Sequence, residues 1–270
     1  MNVETTRPLA VVTGASKGIG FHLAREFALH GYDLLIASDH DDIETAARSI
    51  EAEHPGCGVA ALNVDLATSD GVTALWQAIS ARGVPLAAIA VNAGVGVGGR
   101  FEETPLDDEL GMIHLNCTGA VHLTKLAVQQ MVRRGEGKIL ITSSIAAVMP
   151  APFEAVYGAT KAFLMSFAEA LHNELKERGV TVTALMPGAT DTNFFRRAGM
   201  EDTKVGRSEK DDPAEVAKDG FAALMAGEPQ VVAGSFKNKL MAGATKLMSQ
   251  QAAANQHRKM TEPGSGRRDA

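Results

Sequence analysis

The sequence predicts an α/β chain folded as a single doubly wound domain around a mostly parallel seven-stranded sheet, and three observations carry that expectation. Short apolar runs alternate with longer amphipathic stretches along most of the chain, the pattern of strands joined by crossover helices. The apolar runs are continuous rather than alternating, as in strands buried on both faces. Between the first run and the first amphipathic stretch stands Thr13-Gly14-Ala15-Ser16-Lys17-Gly18-Ile19-Gly20. Strand end, glycine turn and helix start follow one another there in the order of a dinucleotide cradle.

Composition bounds the rest. The 270 residues are 45% hydrophobic, enough for one full core, which we expect over residues 1–260. The last ten, rich in Pro, Gly, Ser and charge, are expected to be a disordered tail. A net charge of −6 and a pI of about 5.8 argue against nucleic acid or an anionic membrane surface as partner. The first apolar run, Leu9 to Val12, is too short for a signal peptide or a membrane span, so a cytoplasmic protein acting on a small molecule is expected. Cys57 and Cys117 are the two cysteines, with no partner at metal-ligand spacing, and read as buried free thiols in a reducing compartment. No metal site is expected.

Taken in order, the first strand, Leu9 to Val12, leads into the glycine loop, and a helix follows from Phe21 to His30 with Leu23, Ala24, Phe27 and Ala28 on one stripe. Glycines at 14, 18 and 20 let the backbone approach a pyrophosphate that the helix N-terminus would hold. A Walker A loop is excluded, since no Gly-Lys-Ser/Thr follows the second glycine. Asp33 to Ser38 is the second strand, and Asp39 stands nineteen residues after Gly20, where an acid bonds the adenosine ribose hydroxyls of NAD. Lys17 pulls toward the 2′-phosphate of NADP, and Asp39 could equally cap the helix beginning at Asp41 or Asp42, whose segment Ile43 to Glu53 is helical. Gly58 to Val64 is the third strand. Asp65, followed by Leu66, lies at its carboxyl end or caps the helix from Ser69 to Arg82.

The fourth strand, Leu86 to Val91, runs into Asn92-Ala93-Gly94. Gly94-x-Gly96-x-x-Gly99 is formally a second glycine fingerprint, but Arg100, Glu102, Glu103 and Pro105 follow it instead of an apolar helical stripe. A flexible loop at the mouth of the site is expected there. Pro105 to Arg134 predicts one long helix, with Pro105 in its first turn. Asn116 sits in its middle, a poor helix former that faces either solvent or a function. His114 and His122 on the same stretch read as structural. The fifth strand, Lys138 to Thr142, delivers Ser143-Ser144, and Pro150 and Pro152 then break the chain. Tyr157 to about Arg178 is helical, and Val180 to Met186 is the sixth strand, ending in Pro187-Gly188. Ala189 to Asp212 is polar and irregular apart from Phe194, Phe195 and Met200, as in a lid. Its phenylalanines and Met200, with Phe153, suggest an apolar pocket, and Arg196 and Arg197 face an anion or water. Asp212-Pro213 opens a helix to Gly227, and Gln230 to Ala233 is a seventh strand. Leu240, Met241, Ala244, Leu247 and Met248 form a helical stripe for the core or a subunit contact.

Chemistry concentrates at Tyr157 and Lys161, four residues apart on one helical face. An ordinary phenol, with a pKa near ~10, exchanges its proton poorly at neutral pH. One cation at ~4 Å in an effective dielectric of ~20 contributes about 4 kcal/mol, enough to bring it near ~7 at ~1.4 kcal/mol per unit.

These motifs together resemble the classical branch of the short-chain dehydrogenase/reductase family over about Leu9 to Gly234: the glycine loop, Asn92-Ala93-Gly94, Asn116, Ser144, Tyr157-x-x-x-Lys161 and Pro187-Gly188, in the family's order. The resemblance implies a Rossmann fold and an NAD(P)-dependent oxidoreductase acting on a secondary alcohol or ketone. Tyr157 would be the acid/base. Lys161 would lower its pKa and hold the nicotinamide ribose, and Ser144, by the family's thirteen-residue spacing to the tyrosine, would bond the substrate oxygen. Asn116 would position a water linking Lys161 to solvent. Ser16, Ile19, Asp65, Asn92 and Thr192 match cofactor-contacting positions. NAD is favoured over NADP, because Asp39 stands where NADP-preferring relatives often carry arginine. A homotetramer or homodimer is implied. The other function open to such a chain is a redox sensor that binds the cofactor without turnover, although it would not need Asn116, Ser144, Tyr157 and Lys161 together.

Overall fold

The computed structural model describes residues 7–235, 243 and 248–267. Seven strands, β1 (Leu9–Thr13), β2 (Asp33–Ser38), β3 (Val59–Asn63), β4 (Leu86–Val91), β5 (Gly137–Thr142), β6 (Val180–Pro187) and β7 (Gln230–Ala233), form one sheet in the order 3-2-1-4-5-6-7. Every neighbouring pair is parallel, so the sheet is wholly and not just mostly parallel. Helices cover both faces, as such a sheet requires.

Alternation along each strand divides the core. Leu9 and Val11 of β1 with Ile89 and Val91 of β4 pack toward α3 (Ser69–Ala81), α5 (Ala120–Arg134) and α6 (Ala155–Leu175), meeting Leu75, Ile79, Leu123, Ala127, Leu164 and Ala168. Ala10, Val12, Ala88 and Ala90 face the other way, toward α1 (Gly18–Leu29), α2 (Asp42–Glu53) and α9 (Pro213–Ala226), meeting Leu23, Phe27, Ile43, Val216 and Phe221. Period two in the strands and a 3.6-residue stripe in the helices thus give one core on each face. The strand order reverses at β1 and β4, opening a crevice beyond their carboxyl ends.

Local chemistry sets most helix ends. Thr68 Oγ1 accepts from Gly71 N at 3.0 Å, so Thr68 and not Asp65 caps α3. Asp212 Oδ1 accepts from Ala214 N at 2.8 Å, with Pro213 in the first turn of α9. The stretch expected as one helix from Pro105 to Arg134 divides in three: α4 (Leu106–Ile113), a π-helical turn at His114–Gly119, and α5. Pro105 stands just before the helix rather than in its first turn. Residues 189–212 contain two one-turn helices, α7 (Phe194–Arg197) and α8 (Lys204–Arg207), joined at the neck by a Thr190–Asp211 bridge.

One expectation fails at the C-terminal end. A last helix, α10 (Gln250–Thr261), is followed by a 3-10 turn at Ser265–Arg267, so 261–267 is folded rather than a disordered tail. Ser265 Oγ accepts from Lys204 N at 2.9 Å, and Gly266 N donates to Asp202 O at 2.9 Å. These bonds supply what the polar composition lacks in apolar surface. The stripe at Leu240, Met241, Ala244 and Leu247 lies outside the described residues, as do 1–6 and 268–270. Cys57 is buried but Cys117 is only half-buried.

Ile89 is fully buried at the centre of the sheet, paired with Val11 and Ile139. Ile89→Ala should lower the free energy of unfolding by about 2–5 kcal/mol in urea titrations, whereas Leu29→Ala, at a site 63% exposed, should change it by less than about 0.5 kcal/mol.

Candidate active site

A seam of hydrogen bonds crosses the carboxyl ends of three strands and ends on α6. Thr13 Oγ1 of β1 accepts from Asn92 N at 2.9 Å and from Ala93 N at 3.0 Å, and Asn92 Nδ2 donates to Thr13 O at 3.0 Å. Thr142 Oγ1 of β5 donates to Asn92 Oδ1 at 3.0 Å. Lys161 Nζ donates to Thr142 O at 3.0 Å, while Ser143 Oγ donates back to Lys161 O at 2.7 Å. The Ser143 hydroxyl is thus engaged with the backbone of α6, whereas the Ser144 hydroxyl donates to no backbone group among the described residues.

Above this seam lies a cavity of about 390 Å³, within the range of ligand sites. Every residue assigned from the sequence to the cofactor lines it: Gly14, Ser16, Lys17, Gly18, Ile19, Gly20, Asp39, Asp65, Leu66, Asn92, Ala93, Gly94, Pro187, Gly188 and Thr192, with Tyr157 and Lys161. Asn116 alone of the assigned residues does not. It is fully buried behind the wall.

The glycine loop fits a dinucleotide. Gly14 and Gly18 hold φ of 66° and 61°, and a side chain on Gly20 would overlap the carbonyl oxygen of Gly14, so α1 can approach β1 only through glycine. No side chain caps the N-terminus of α1, which leaves its first N–H groups for an anion. A Cβ on Gly18 would lie 2.9 Å from Thr192 Cγ2, so the 189–212 segment closes over the loop. At the ribose end, Asp39 is exposed on the cavity wall, with Ser38 Oγ 3.4 Å from its Oδ1 and 3.1 Å from Ser16 Oγ. Asp39 does not cap α2, whose cap position is Asp41. Lys17 forms an ion pair with Asp42, whose carboxyl is held below its usual value chiefly by that hydrogen bond. Asp65 Oδ1 accepts from Ala67 N at 2.9 Å.

At the other end, Tyr157 and Ser144 line the cavity together, the Ser144 hydroxyl near enough to favour the phenolate. Ser144 Oγ accepts from Ala146 N at 3.1 Å, which fixes the oxygen and leaves the hydroxyl proton to point at a partner. Burial pushes the Tyr157 phenol well above its ordinary value; the Glu154 carboxylate adds to the rise and the Ser144 hydroxyl opposes it. The expectation that Lys161 alone brings this phenol toward neutrality is therefore corrected. Its Nζ lies 5.8 Å from the ring centroid, committed to Thr142 O, and burial lowers its own pKa to about 8. Phenol and amine are both driven toward their uncharged forms.

Asn116 gains its reason from the π turn, a local irregularity frequent at functional sites. Its Oδ1 accepts from Val95 N at 3.0 Å, and its Nδ2 donates to Val95 O at 2.9 Å and Thr160 Oγ1 at 3.1 Å. The amide thus braces the loop after β4 against α6. A Cβ on Gly94 would sit 3.0 Å from Asn116 Oδ1 and 3.2 Å from Lys161 Nζ, so both polar atoms close on Gly94.

The loop from Gly94 to Arg100 enters no helix, as its flanking residues predict, but it is fastened rather than flexible. Gly98 N donates to Ala198 O at 2.9 Å and Gly99 N to Phe153 O at 2.8 Å, and side chains on Gly96 and Gly98 would overlap Phe194 and Met200. Of the residues expected around an apolar pocket, Phe194 and Phe195 line the cavity; Arg197, expected to face an anion or water, lines it too. Met200 is buried beneath it, and Phe153 lies between Arg100 and Arg258 at 5.7 and 5.3 Å. Sequence reading missed Glu154, Gln256, His257 and Met260, which also line it. Glu154 stands three residues before Tyr157, which is a usable signal. The α10 residues carry none, because a segment one hundred residues away is brought there only by the fold.

The fold and this arrangement define a nucleotide-binding oxidoreductase of the short-chain type. The chain matches the short chain dehydrogenase family over residues 8–202 and belongs to it. It is 30% identical to the oxidoreductase UcpA of Salmonella typhimurium over 223 residues, 82% of this chain and 81% of that protein. Among solved structures, it is similar to a short-chain dehydrogenase from Sphingobium yanoikuyae in complex with NADPH (28% identity, TM-score 0.76, covering 88% of this chain and 93% of that one). It is also similar to an alcohol dehydrogenase from the archaeon Thermococcus sibiricus complexed with 5-hydroxy-NADP (25% identity, TM-score 0.73, 85% and 97%). Among the described residues no helix is long and apolar enough to cross a membrane.

Lys161 holds its proton less tightly folded than unfolded, where its pKa is near ~10.4. Its charge therefore costs stability at neutral pH, and that cost fades as pH rises from about 8 toward ~10. Lys161→Met should gain melting temperature relative to the native chain at neutral pH, and the gain should shrink across that window. A melting-temperature difference that stays constant with pH would contradict the assignment.

Proposed function

We propose that the chain is an NAD-dependent oxidoreductase that interconverts a secondary alcohol and a ketone, with Tyr157 as general acid/base. The observation that carries this reading is that Tyr157, Ser144 and Lys161 line one end of the cavity whose other end is the glycine cradle. The nicotinamide supplies or accepts the hydride when bound, and the positive charge of its oxidised form favours the phenolate. In reduction Tyr157 gives its proton to the carbonyl oxygen as charge develops there, a contribution typically worth ~10²–10⁴-fold. Ser144, fixed through Ala146 N, donates to the same oxygen, as a preorganised donor for oxyanion charge.

Lys161 has two tasks in this scheme. Its Nζ lies beside Gly94 on the cavity wall, placed to bond a ribose hydroxyl, and with a pKa of about 8 it holds an exchangeable proton near neutrality. Asn116 holds the loop that frames Lys161, and in this reading it would position a water linking Lys161 to solvent. At the adenosine end, Asp39 presents an exposed carboxylate to the ribose while the Lys17 charge is paired with Asp42, which supports NAD over NADP. The apolar walls at Val95, Met149 and Phe194 suit the carbon skeleton of a ketone.

Tyr157→Phe should lose turnover by about 10²–10⁴-fold while NADH still binds in a fluorescence titration; a variant that keeps turnover would sink the mechanism. The same titration on the native chain should show NADH binding more tightly than NADPH, and a preference for NADPH would overturn the role given to Asp39.

A further inference from the structure

The turn leading into α6 is gripped by the C-terminal helix at three consecutive residues. Thr261 Oγ1 donates to Pro152 O at 2.8 Å, Arg258 lies 5.3 Å from the Phe153 ring centroid, and His257 Nε2 is 3.1 Å from Glu154 Oε2. Phe153 holds a φ of 64°, a region a bulky residue occupies only under strain and one that gathers at functional sites. Within α10 only Ala253 and Thr261 are buried. Polar contacts at this turn thus make up much of what ties the helix to the site.

The Glu154–His257 pair is largely buried, with side chains 7% and 12% exposed, and both residues line the cavity with Tyr157 and Ser144. An ionised carboxylate only accepts hydrogen bonds, which assigns the proton to Nε2 of His257. Glu154 is the residue before α6 and stands one turn ahead of Tyr157, close enough for its charge to oppose ionisation of the phenol. Other charged groups flank the Phe153 ring beside the pair, Arg100 and Arg258, or share the cavity wall with it, among them Lys161 on α6 and Arg197, Glu209 and Asp211 of the 189–212 segment. Resting on the reading of Tyr157 as general acid/base, we propose that His257 is a positioning residue of the active site, which acts through Glu154 to set the charge that Tyr157 meets.

The sequence contains two tyrosines, so the reactivity of Tyr157 can be followed without a substrate. An aryl sulfonyl fluoride labels a phenolate and releases fluoride; its rate at each tyrosine is read by peptide mass spectrometry at fixed, mildly alkaline pH, with Tyr32 as internal reference. His257→Ala should slow labelling of Tyr157 by about threefold to tenfold, a shift of roughly half to one pKa unit, and Glu154→Gln should speed it by a similar factor. The double variant should match Glu154→Gln, and His257→Lys, which keeps a hydrogen-bond donor to Glu154, should stay near the native rate. Faster labelling in His257→Ala would mean that the helix only covers the site. An unchanged rate, or effects that add in the double variant, would equally overturn the proposal. Turnover surviving in Tyr157→Phe would sink the catalytic reading whatever the labelling shows, so the two failures are separable.

Discussion

Everything at the site hangs on the seam that joins Thr13, Asn92, Thr142 and Lys161 across the carboxyl edge of the sheet. Parallel strands end with unpaired backbone groups, and buried polar groups must find partners. Here the partners are short side chains one strand away, and the last of them is the amine of the reactive helix. The position of α6 is thereby tied to β1, the strand that carries the glycine cradle. The distance between the two ends of the cavity is in turn tied to the geometry of the sheet.

Burial of this edge has an electrostatic consequence. The phenol of Tyr157 and the amine of Lys161 are pushed in the same direction, toward neutrality, because each would otherwise hold a charge in a medium that solvates it poorly. Such a pair is quiet by default. It responds strongly to any charge that enters, since little water is present to screen it. The few charges already nearby, above all the Glu154 carboxylate, therefore matter more than their distance along the chain suggests.

The sheet and the cavity were legible in the sequence because both depend on local pattern. Continuous apolar runs define β2, β4 and β7 to the residue, and the carboxyl end of each strand carries the polar residues that line the site, as topology requires. Asn116 was legible as an anomaly, a poor helix former inside a helix, although the π turn that accommodates it was not. What could not be read depends on contacts far apart in the chain. His257 meets Glu154 across 103 residues, and the Gly94–Gly99 loop is stiff because of Phe194 and Met200. The segment after Thr261 is composed like a disordered tail, yet it is held by backbone groups near Asp202 and Lys204.

The π turn at His114–Gly119 amounts to one residue more than an α-helix would use, and each residue of an α-helix turns the chain by about 100°. Excising a single residue there would leave a smoother helix. It would also swing Leu123 and Ala127, now buried against the sheet, around the axis by that angle. The irregularity is thus a phase correction: it lets one continuous rod present Asn116 to the loop after β4 and its apolar stripe to the core, two directions that a regular helix of the same length would not satisfy together.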